Sequence, residues 1–146
     1  MDTILSPDQY AVLWWSSWQP LFAGSYAAYR GHYDFAALCY LVMCTSLNYW
    51  RYPTLVTWRR SMDLVCVQIA LWYHMISAYS MANAVPYYIT TGMGMGFFVA
   101  GVKAHTWGYP WPSTLCHVMV HVLGNGGNLF LYASDCSGTV KNIITP

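Results

Sequence analysis

The stretch Pro112–Tyr132, PSTLCHVMVHVLGNGGNLFLY, carries no charged residue and holds two imidazoles, His117 and His121, four residues apart. At 3.6 residues per turn, side chains at that spacing lie one above the other on a single helix face. A largely apolar, uncharged run of about 20 residues predicts a helix that crosses a bilayer. In such a setting the imidazole pair needs partners, because polar groups in hydrocarbon are costly and mark functional sites.

The rest of the chain has the same character. Of its 146 residues 57% are hydrophobic, 18% aromatic and 8% charged, with no glutamate, against roughly 25% charged in soluble domains. A formal net charge of +1 gives no reason to expect a nucleic-acid partner. Cys39, Cys44, Cys66, Cys116 and Cys136 have no paired metal-ligand spacing. The segment from Met1 to Gln9 carries Asp2 and Asp8 without a basic residue, unlike a cleaved signal peptide.

Working outward, the sequence predicts an all-α, single-domain membrane bundle of about five spans. The first covers 10–29 and is interrupted by Gln19-Pro20. The second, 35–50, follows the polar break Arg30–Asp34 and ends before Pro53, since proline disfavours helix at the residue before it. The third, 64–82, contains Gln68 and His74 and opens behind Ser61-Met62-Asp63. The fourth, 86–102, places Gly92, Gly96 and Ala100 at four-residue spacing, a small-residue stripe that lets a partner helix approach closely. The residues Lys103–Pro112 read as an interfacial loop, and the fifth span, 113–133, contains the His pair and the helix-weakening Gly124–Asn128. The tail 134–146 is polar. Arg51, Arg59, Arg60 and Lys103 fall on one side and Arg30 and Lys141 on the other, which places the N-terminus in the cytoplasm by the positive-inside rule.

Several polar residues then share a depth. Ser46 closes the second span and Asp63 opens the third. At ~1.5 Å per residue, His117 and His121 lie roughly 6 and 12 Å into the fifth span from the same side. His105 precedes that span, and His74 lies somewhat deeper. Neutral imidazole is a common metal ligand, and catalytic zinc uses three protein ligands and a water. His117 and His121 supply two, with His105 as the third and His74 in reserve. Asp63 would handle a proton and Ser46 would stabilise an oxyanion. Each has a plainer alternative: interhelical hydrogen bonding for the pair, a helix N-terminal acid beside Arg59 and Arg60 for Asp63, a bond to its own helix for Ser46, and an exposed position for His105. Haem between His74 and one of the pair is a further option.

The order Ser46-Leu47-Asn48-Tyr49-Trp50, then Asp63, then His117 and His121 resembles the membrane hydrolase superfamily of alkaline ceramidases and progestin and adipoQ receptors. That family places Ser-x-x-x-His late in one helix, Asp about a dozen residues on, and His-x-x-x-His in the last of seven helices. The resemblance implies a zinc-dependent hydrolase of lipid amides or esters. It also implies a changed site, because Trp50 stands where the family's first zinc-ligating histidine would be, and an indole N–H only donates. The alternative class is a non-enzymatic membrane protein that binds lipid or a partner, or is a small subunit of a complex.

Overall fold

A computed structural model describes residues 3–134. The expected tail from Asp135 onward lies outside them. Among the described residues the chain is all α, in six segments: α1 (Pro7–Ser16), α2 (Gln19–Tyr29), α3 (Tyr33–Trp50), α4 (Trp58–Ala78), α5 (Ala84–Thr106) and α6 (Pro110–Tyr132). The single helix expected over 10–29 is therefore two, but Ser17 and Trp18 keep right-handed helical backbone angles. The pair is one path broken ahead of Pro20, whose missing N–H cannot continue the helical ladder.

Local chemistry sets the ends. Ser6 precedes α1 with Pro7 in its first turn, and the Gln9 side chain accepts the Ser6 backbone N–H at 3.0 Å, as a capping box requires. The Thr57 hydroxyl caps α4 by accepting the Arg60 N–H at 3.4 Å. Gly31 and Gly108 take positive φ in the turns after α2 and α5, a conformation that favours glycine. Several boundaries differ from expectation, two of them by four residues or more at the ends that flank the site. Helix α4 starts at Trp58, six residues before Leu64, and α5 continues through Lys103 to Thr106, so His105 belongs to a helical last turn and the connection to α6 is short.

Helices α5 and α6 run against each other along most of their length, α2 packs on α3 and α6, and α3 on α4, whereas α4 and α5 barely touch. Gly92 and Gly96 face open space and Ala100 is exposed, so the expected stripe packs against nothing among the described residues. Close approach is made instead by Gly127 of α6, where an added Cβ would stand 2.6 Å from Thr90 Oγ1, and by Gly101 of α5, where it would meet Cys116 Cβ at 3.1 Å.

A buried polar chain joins three helices. His74 Nδ1 lies 2.6 Å from the Ala70 carbonyl oxygen, which only accepts, so Nδ1 carries the proton. His74 Nε2 accepts from the Tyr132 hydroxyl, whose oxygen lies 3.2 Å from Cys39 Sγ. The direction is fixed throughout: Cys39 donates to Tyr132, Tyr132 to His74, and His74 to Ala70.

Only seven large apolar or aromatic side chains are buried among the described residues (Leu13, Phe35, Tyr49, Trp50, Tyr87, Leu131, Tyr132), while 34 are exposed. No helix among the described residues is long and apolar enough to cross a membrane. In α5 the apolar run is diluted by Pro86, two tyrosines, three threonines and four glycines.

The glycine contacts give a direct comparison. Gly127→Ala is expected to destabilise the protein by about 1–3 kcal/mol through overpacking, while Gly96→Ala leaves stability within ~0.5 kcal/mol. Denaturant unfolding of the two variants checks the order, and an equal effect would refute the α5/α6 packing.

Candidate functional site

One cavity of about 270 Å³ is bounded by α2, α3, α4, α5 and α6, and most of the expected site residues line it: Ser46, Asp63, His74, His117 and His121, with Trp50. Leu38, Val42, Val67, Leu71, Met95 and Phe98 make much of the remaining wall apolar. The volume is just below the ~300 Å³ lower end usual for small-molecule pockets. An occupant is therefore small, or is only part of a longer molecule.

Helix α3 delivers Ser46 on its last turns and α4 delivers Asp63 on its second. Ser46 Oγ donates to Asp63 Oδ1 at 2.6 Å, and Thr45 Oγ1 reaches the same oxygen at 3.1 Å. The plainer readings of both residues are thereby displaced: Ser46 turns its hydroxyl to the neighbouring helix, and Asp63 is buried between helices. Burial pushes the Asp63 carboxyl above the ordinary carboxylate range, and the Ser46 and Thr45 hydroxyls pull it partly back.

Helix α6 delivers the imidazole pair, with ring centroids 5.0 Å apart and planes at 76°. The Trp50 ring stands edge to face on His117 at 5.1 Å, so Trp50 sits beside the pair. His121 is held from the other side by Ser16, with Oγ 2.7 Å from Nδ1. His117 has no hydrogen-bond partner among the described residues.

The remaining histidines stay apart from the pair. His105 is exposed near the end of α5 and does not line the cavity. Its expected place came from treating 103–112 as a loop, whereas the helix carries it out to the surface. His74 lines the cavity, but both of its nitrogens are taken, by Ala70 and Tyr132. Among the described residues no group of three His, Cys, Asp or Glu is placed to hold a metal ion. The donors at the pair are two imidazoles and an indole edge, which does not fit a three-ligand catalytic zinc.

Three further polar residues reach the cavity. Gln68, Asn125 and Asn128 line it, and Asn125 Nδ2 donates to the His121 carbonyl at 2.8 Å. The patch Gly124–Asn128 signalled weak helix in the sequence, but its asparagines are cavity wall. Ser16 was not legible as a site residue except through its position four residues before Pro20.

Comparison with protein-family models, curated proteins and solved structures finds no match to this chain. The resemblance to the ceramidase and receptor superfamily rests on the quoted residues alone.

The state of Asp63 makes stability depend on pH. A folded carboxyl that keeps its proton to higher pH than an unfolded one contributes stability below the unfolded value, and loses that contribution as pH rises through the folded value. The Ser46 hydroxyl favours the carboxylate. Ser46→Ala is therefore expected to cost about 1–3 kcal/mol in mildly alkaline buffer and distinctly less in acid. Denaturant unfolding at both conditions checks this, and an equal cost would refute the assignment.

Proposed function

We propose that this chain is a multi-pass membrane protein that takes the apolar part of an amphiphile into the cavity and meets its polar group at Ser46, Asp63, His117 and His121. The observation that carries the reading is the convergence of those four residues, from α3, α4 and α6, on one largely apolar cavity. A membrane setting is supported by the placement of charge. Arg30, Asp34, Arg51, Arg59, Arg60 and Lys103 all stand at or next to helix ends, and Asp63 is buried. Between them, 35–50, 64–78, 84–102 and all of α6 carry no charged residue. The 34 exposed large apolar and aromatic side chains far exceed what a water-facing monomer tolerates. With the Arg51, Arg59, Arg60 and Lys103 end toward the cytoplasm, the N-terminus is cytoplasmic. The open Gly92, Gly96 and Ala100 face leaves room for a partner helix, in keeping with a subunit role.

A second reading, a zinc-dependent lipid amidase or esterase, is favoured by the Ser46–Asp63 hydrogen bond and the adjoining His pair. It lacks a third protein ligand while Trp50 holds that place, so binding without turnover is the better reading of this chain.

Metal content separates the two. Elemental mass spectrometry of protein purified without chelator is expected to find no stoichiometric zinc in the wild type, and a gain toward one per chain in Trp50→His, lost again when His117 and His121 are replaced by Ala. One zinc per wild-type chain would make the hydrolase reading primary. A folded Trp50→His protein without metal would show that Trp50 does not occupy a ligand position.

A further inference from the structure

His121 is seated on the break between α1 and α2. Pro20 has no N–H to give to the Ser16 carbonyl four residues back, and Ser16 turns toward α6. Its hydroxyl oxygen lies 2.9 Å from the Leu13 carbonyl oxygen and 2.7 Å from His121 Nδ1. A hydroxyl has one proton, and a carbonyl only accepts. With the Ser16 proton given to the Leu13 carbonyl, which also receives Ser17 Oγ at 2.8 Å and Ser17 N at 3.0 Å, Ser16 accepts from Nδ1, which then carries the imidazole proton. In a neutral ring the lone pair is then on Nε2, and His121 lines the cavity.

In its ionised form Asp63 adds an acceptor of the same kind. Its Oδ1 is taken by Ser46 and Thr45, while Oδ2 receives no hydrogen bond from the described residues.

We propose that Ser16 is a positioning residue that locks His121 with its proton on Nδ1, so that Nε2 meets the ligand as an acceptor and the cavity selects amphiphiles whose polar group donates a hydrogen bond. The ligand class is then a long-chain alcohol or N–H amide rather than an ether or ester of the same length. The selectivity rests on the cavity reading above; the tautomer does not.

Nitrogen-15 histidine NMR of the full chain in phosphatidylcholine nanodiscs reads the tautomer, with His121→Gln assigning the signal. The expected result is the Nδ1–H form in the wild type, its loss in Ser16→Ala and its recovery in Ser16→Thr. An Nε2–H signal in the wild type overturns the proposal, even if Ser16→Ala fails to fold. The same nanodiscs are titrated with a long-chain fatty alcohol and with its methyl ether. The alcohol is expected to bind about tenfold tighter to the wild type, the effect of one hydrogen bond to a buried acceptor, and the difference to vanish in Ser16→Ala. Equal affinities in the wild type overturn the selectivity and leave the cavity reading standing. Binding of neither overturns both the cavity reading and the selectivity built on it.

Discussion

The Tyr132 hydroxyl is the group that the bundle is arranged around. It comes from the last turn of α6 and is fully buried, so its proton needs a partner within the protein. His74 of α4 accepts it, and it is free to do so because its other nitrogen is committed to the carbonyl one turn back. Cys39 of α3 completes the set by pointing its thiol at the same oxygen. Three helices are thereby held in one rotational setting. That setting turns the opposite ends of α3, α4 and α6, which bear Ser46, Asp63 and the imidazole pair, toward a common space. The cavity is in this sense the far side of a buried hydrogen-bond chain.

The sequence exposes helix existence well and helix edges poorly. Long uncharged runs announced α3 to α6, because charge in this chain is confined to places where helices end. The edges are poorly marked because aromatic and basic residues such as Trp58, Arg59 and His105 have the character of interfacial loops, while a helix end accommodates them without leaving helical geometry. The small-residue faces of α5 show a different limit. Gly92, Gly96 and Ala100 have the better local spacing, yet Gly94 and Gly101, seven apart, face α6. Spacing alone offers both faces, and only the partner, here the Gly127 turn of α6, chooses between them.

The site was legible where residues are close in depth and far apart in sequence. Ser46, Asp63, His117 and His121 were found by counting rise per residue from each helix end, a quantity that survives errors of a few residues. The same count fails for His105, because α5 runs on to Thr106 and carries it to the surface. Ser16 escaped notice because a serine in an aromatic segment has no pattern of its own. Its role depends on a missing donor at Pro20, which is visible only when backbone partners are traced one by one.

The weak contact between α4 and α5 bears on how the cavity behaves mechanically. The two helices are joined through the short Tyr79–Asn83 link, where the Tyr88 hydroxyl donates to the Met75 carbonyl at 2.7 Å and the Asn83 side chain to the Phe130 carbonyl at 3.0 Å. Beyond that link little holds them together. Few contacts oppose a change in their separation, in contrast to the α5/α6 and α3/α4 pairs, as in a pair of tongs gripped at one end. Cavity girth then follows the opening angle of the two helices instead of the packing of individual side chains.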